Sequence, residues 1–113
     1  MDCTHLIERL EAFEERMGVR LGALFAEWDN DNDESPESSL TVRGELYPRE
    51  TSNIQRNISV VADIYDTSGR LVARDDHWFD PEEFFGFETF ELAIDINVSN
   101  VAISKIRLYP KLG

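Results

Sequence analysis

Four stretches of this chain place apolar residues on every second position. Leu40, Val42 and Leu46 alternate with Thr41, Arg43, Glu45 and Tyr47. Ile58, Val60, Ala62 and Ile64 alternate with Ser59, Val61, Asp63 and Tyr65. Phe90, Leu92, Ile94 and Ile96 alternate with Glu91, Ala93, Asp95 and Asn97, and Ser104, Ile106 and Leu108 alternate with Lys105, Arg107 and Tyr109. Successive side chains of a strand point to opposite faces, so the pattern buries one face and wets the other. From about residue 40 onward the sequence predicts an antiparallel β domain.

Turn chemistry divides that region. Pro48 closes the first strand and residues 48–56 connect it to a strand over 57–66. Asp66-Thr67-Ser68-Gly69 is a hairpin signal, in which Asp opens the turn and Gly supplies a positive φ. Leu71-Val72-Ala73 begins the returning strand. Asp80-Pro81-Glu82-Glu83 is a second turn, Phe84 to Ile96 the next strand, and 103–109 the last before Pro110. Five or six strands joined this way predict a sandwich rather than a parallel sheet or a roomy barrel.

The N-terminal third reads differently. Thr4 is a candidate N-cap. Leu6, Ile7, Leu10, Phe13 and Met17 then make an apolar stripe on a helix of about 13 residues. Glu8, Glu11, Glu14 and Glu15 fall on its solvent side, and Gly18 is a candidate stop. Residues 19–28 admit a second helical segment or a first strand. Val19, Leu21 and Ala23 favour the strand, and Leu24-Phe25-Ala26 breaks its period. The expected organisation is one domain over 1–113: a helix over 1–18, an acidic mobile loop over 29–39, and a β-sandwich over 40–110.

The run Val60-Val61-Ala62-Asp63-Ile64-Tyr65-Asp66-Thr67-Ser68-Gly69-Arg70-Leu71-Val72 resembles the central hairpin of bacterial immunoglobulin-like domains of the FxLYD type. Gly44 and Phe90 sit where that pattern places them. Ile106-Arg107-Leu108-Tyr109-Pro110 partly resembles the closing motif, with Ile for Phe and Pro for Asp. The resemblance implies an immunoglobulin-like sandwich with a short N-terminal α-helix, and no activity. Relatives of that type are usually exported, whereas this N-terminus lacks the basic and apolar regions of a signal peptide.

Net charge is −12, and residues 1–39 hold 11 acids against 3 bases. A field of that sign repels phosphate backbones and anionic lipid, which argues against nucleic acid and membrane as partners. Cys3 is the single cysteine, so no intramolecular disulfide forms, and a reducing cytoplasm is the expected setting. Two glycosylation tripeptides, at Asn57 and Asn97, read as chance without a secretory signal.

Catalytic and metal motifs are weak. Asp29, Asp31 and Asp33 resemble the start of a calcium loop, but Glu34 stands where the turn needs Gly and Leu40 where the ion needs a bidentate Glu. Asp75 and His77 share a strand face, and two ligands do not close a site. His5 and His77 have no nucleophile motif beside them. No enzyme, metal or cofactor is expected.

The aromatics are the remaining signal. Trp78, Phe79, Phe84, Phe85 and Phe87 fall within ten residues. On a strand through 84–87, Phe84 points inward with Phe90 and Leu92, and Phe85 and Phe87 point outward. The helix face of Leu6, Leu10 and Phe13 would cover them, or a partner would. The expected function is a non-enzymatic protein-interaction module of a cytoplasmic bacterial protein. It binds a protein partner or itself through Trp78, Phe79, Phe85 and Phe87 or through an open sheet edge. The alternative is a small-molecule carrier or small enzyme with the aromatic region as its pocket.

Overall fold

The computed structural model describes residues 2–29, 38–49, 53–84, 86–96 and 103–113. Its elements are β1 (Ile7–Arg9), α1 (Glu11–Met17), β2 (Val19–Asp29), β3 (Ser38–Pro48), β4 (Ile58–Asp66), β5 (Leu71–Phe79), β6 (Glu88–Ile96) and β7 (Ile103–Leu112), with single 3-10 turns at Thr4–Leu6 and Pro81–Glu83. A four-stranded sheet in the order β1-β7-β4-β5 faces a three-stranded sheet in the order β2-β3-β6. All pairings are antiparallel except β1 with β7.

The alternation becomes burial. Phe90, Leu92, Ile94 and Ile96 of β6 are buried, and Glu91, Ala93 and Asp95 between them are exposed. Leu40, Val42 and Leu46 of β3 lie beside them on the same sheet face, and Ile58, Val60, Ala62, Ile64, Ile106 and Leu108 complete the core from the other sheet. β4 departs from the pattern, because Ser59, Val61 and Asp63 on its opposite face are buried as well. The adjacent valines at 60 and 61 signal a strand covered on both sides.

Residues 19–28 are strand, and the break in their period is a bulge. The β2–β3 register shifts between Gly22 and Phe25, and Ala23 takes a positive φ of 50°. The extra residue turns Leu24 toward the core, where it packs beside Phe90 over Gly44. The acidic loop expected over 29–39, with its calcium reading, falls largely outside the described residues. Asp29 and Ser38–Ser39 at its ends belong to β2 and β3.

The expected 13-residue helix is shorter and later. Thr4–Leu6 form a 3-10 turn, Ile7–Arg9 pair in parallel with Ile106–Leu108, and only Glu11–Met17 are α-helical. Thr4 caps no helix; its hydroxyl accepts from the Ala26 N–H at 3.1 Å. Leu6, Ile7 and Met17 pack against the core, which explains their apolarity without one continuous helix. A seven-residue helix is unstable alone and is held by its contacts.

These N-terminal residues also occupy the free edge of β2. The Cys3 N–H donates to the Ala26 carbonyl at 2.9 Å. Further along, Leu21 has both backbone groups satisfied by side chains: its N–H donates to Glu14 Oε1 at 2.9 Å, and its carbonyl accepts from Arg9 Nη2 at 2.6 Å. Arg9 and Glu14 meet in a two-point ion pair, with Nη2 to Oε1 at 2.6 Å and Nε to Oε2 at 3.0 Å. This bond to Glu14 pushes the Arg9 guanidinium above its ordinary pKa. Glu14, expected on the solvent side, is thus 1% exposed. The open-edge reading is corrected for β2. A second outer strand, β5, carries Arg74, Asp75, Asp76 and His77 in succession, a charged edge that resists pairing.

The β4–β5 hairpin forms where Asp66-Thr67-Ser68-Gly69 predicts it. Gly69 has φ +82°, and Asp66 Oδ1 accepts from the Ser68 and Arg70 N–H groups, each at 2.9 Å. These bonds, led by that from Arg70, hold the Asp66 carboxyl below its ordinary pKa. A depressed folded pKa gives stability that is full above the unfolded value and is lost as pH falls through the folded one. An NMR titration should therefore find Asp66 more acidic than a model-peptide Asp, with the Ser68 and Arg70 amides shifting in step. An ordinary Asp66 titration would contradict this.

Candidate functional site

The four described aromatics of the cluster, Trp78, Phe79, Phe84 and Phe87, do not form one patch. Phe79 and Phe84 are buried at 6% and 2% exposure, in edge-to-face contact at 5.9 Å. Phe79 is therefore corrected from the candidate surface to the core, because it stands opposite Ile58 on the inward face of β4. Trp78, next along β5, faces outward from the four-stranded sheet. Its indole N–H donates to the Gly113 carbonyl at 3.2 Å. Phe85 lies outside the described residues.

Phe87 stands on the opposite side of the sandwich. The expected strand through 84–87 is interrupted, since Gly86 takes φ +75° and β6 begins at Glu88. Phe87 then lies beside Tyr47 on the outer face of the three-stranded sheet. The rings stack at 5.3 Å between centroids and 21° between planes. Arg20 sits 5.9 Å over the other side of Tyr47. Arg20 and Tyr47 are register partners, so Arg20, Tyr47 and Phe87 make a row across the sheet. Gly22 leaves room for it, because a Cβ there would come within 3.2 Å of the Tyr47 ring. The Tyr47 hydroxyl donates to Glu45. Phe87 stays 50% exposed. The N-terminal helix does not cover it; Phe13 packs instead on Tyr109 at 5.5 Å between ring centroids.

The outer face of the four-stranded sheet holds a polar cluster that alternation alone did not mark. Asp63 is 3% exposed. It accepts from the Arg74 guanidinium and from the Tyr109 hydroxyl at 2.9 Å. Burial, with this bond to Asp63, raises the Tyr109 pKa. Both partners are spent on a buried charge, which makes the cluster a brace across β5, β4 and β7.

His77 lies against Phe79 with ring centroids 4.8 Å apart. Among the described residues, no three His, Cys, Asp or Glu side chains are grouped to hold a metal ion. Nor is any helix among them long and apolar enough to cross a membrane. Cys3 is free and buried, and burial raises its thiol pKa. No protein-family model, curated protein or solved structure matches the chain.

Proposed function

We propose that the chain is a non-enzymatic protein-interaction module that binds a protein partner, or a second copy of itself, through the Tyr47–Phe87 face. The carrying observation is Phe87, half-exposed yet ordered by stacking on Tyr47. An aromatic ring already held in place loses little freedom on binding, and such rings anchor interfaces. Glu45, which accepts from the Tyr47 hydroxyl, and Arg20, over the Tyr47 ring, flank it, a rim of both signs that favours a charge-complementary polar partner. The dispersal of Trp78, Phe79 and Phe84 to other places weighs against a single aromatic pocket for a carrier or enzyme.

The proposed setting is a reducing cytoplasm, in keeping with a free, buried Cys3. The proposed fold type is immunoglobulin-like, similar to the bacterial FxLYD domains. Its support is the strand order, in which β3 neighbours β6 and β4 neighbours β7. The immunoglobulin sandwich likewise pairs strands three apart in sequence. One departure is β1, which runs parallel along β7.

Replacing Phe87 by Ser tests the interaction reading. The variant should keep its fold, because Phe87 contributes only a stacked, half-exposed ring, worth about 0.5–1.5 kcal/mol. It should lose association with the partner, or with itself in sedimentation. Raising salt should strengthen a homodimer of this acidic chain by screening its repulsion and weaken a complex with a basic partner. Association unchanged by Phe87→Ser would overturn the reading.

A further inference from the structure

The chain's positive charge is unevenly spent. Of its 11 basic residues, Arg9, Arg43, Arg74, Lys105 and Arg107 pair with carboxylates. Arg16, Arg49 and Arg56 do not: no carboxylate among the described residues comes within 4.0 Å of their guanidinium groups. Arg20, Arg70 and Lys111 likewise have no such partner among the described residues, but Arg16, Arg49 and Arg56 are brought together, lining the same cleft of about 570 Å³.

Three separate segments bring them there, and each is fixed. Arg16 lies in the last turn of α1, with its guanidinium 5.7 Å over the Phe13 ring. Arg49 follows β3, and its N–H donates to the Gly18 carbonyl at 3.0 Å, tying the end of β3 to the end of the helix. Arg56 belongs to the connection before β4. That connection is pinned by Ile54, 4% exposed, and by the Asn53 side-chain amide, which donates to the Pro81 carbonyl at 3.1 Å. Among the described residues Glu15 is the one carboxylate of the lining, and Met17 and Ile54 supply apolar wall.

We infer that this cleft binds a small organic phosphate, its phosphate oxygens among Arg16, Arg49 and Arg56 and its organic body against Met17 and Ile54. Guanidinium forks match phosphate and carboxylate oxygens with two-point hydrogen bonds. One fork suffices for a planar carboxylate, whereas three forks from three segments suit a tetrahedral group with oxygens on several sides. The cleft volume falls in the range of small-molecule sites. The acidic remainder of the surface repels long polyanions, which favours a compact ligand.

Calorimetry at low salt with phenyl phosphate, inorganic phosphate and benzoate tests this. Phenyl phosphate should bind saturably, one per chain, at least about tenfold more tightly than either comparison anion. The Arg49→Gln, Arg56→Gln double variant should lose about tenfold or more in affinity for phenyl phosphate. An Arg70→Gln, Lys111→Gln variant, which removes the same charge elsewhere, should bind as the wild type does. Circular dichroism should show both variants folded, since all four side chains are exposed. Absence of saturable binding, equal binding of benzoate, or an equal loss in the distal variant would overturn the proposal.

Discussion

Replacing Glu14 by Ala should lower stability by about 2–4 kcal/mol. The estimate combines an unpaired buried backbone donor, about 1–3 kcal/mol, with a broken buried ion pair, about 3–5 kcal/mol. The total falls below the sum of the two because the Arg9 side chain is 35% exposed and can turn to water, which removes most of the ion-pair cost. The Leu21 N–H has no such escape, since Leu21 is fully buried. Glu14→Gln keeps an acceptor for Leu21 and should cost clearly less. Urea unfolding of both variants checks the ordering. Glu14→Ala also strips a plug from the edge of β2, so sedimentation should show more self-association than for wild type. Equal stability of the Ala and Gln variants would mean that Leu21 does not depend on the Glu14 acceptor.

Gly44→Ala should cost about 1–3 kcal/mol by overpacking. A Cβ at this position would lie 2.6 Å from Phe90 Cζ and 2.7 Å from Leu24 Cδ2. Gly44 and Phe90 are register partners, with Phe90 3% exposed, so the ring has nowhere to retreat. In a domain of this size each kcal/mol lowers Tm by roughly 4 °C. Calorimetric melting should show that fall, and Phe90→Leu in the Gly44→Ala background should recover part of it. A Gly44→Ala protein that melts with the wild type would mean that Leu24 and Phe90 can move aside.

What the sequence disclosed follows from which interactions are local. Strand alternation is local, so β3, β4, β6 and β7 were legible, as was the Asp66–Gly69 turn. The bulge in β2 was legible as a broken period, though not as a left-handed Ala23. Leu6 and Ile7 misled because an apolar segment beside a sheet edge has the same composition as the face of a short helix. Its actual partner is β7, about 100 residues along the chain. Glu14 and Asp63 were invisible for the same reason. Each is buried by a partner that only the tertiary fold supplies, Leu21 and Arg9 in one case, Arg74 and Tyr109 in the other. The aromatic cluster is contiguous in sequence but divided in the fold. Adjacent positions on a strand face opposite ways, so Trp78 and Phe79 part company at once. Gly86 then turns the chain before Phe87. Tyr47, Phe87's stacking partner, was assigned only to the polar side of its strand, because their pairing depends on the β3–β6 register.

The most direct test of the interaction reading is site-specific photo-crosslinking in the native cell. A photoreactive phenylalanine analogue replaces Phe87 in one version and Leu71 in the other. Leu71 is 48% exposed, close to the 50% of Phe87, and lies at the start of β5, the end away from Phe79. One dominant adduct is expected from position 87, a single partner or a dimer of the chain, and none from position 71. No adduct at 87, or the same adducts from both positions, would contradict it.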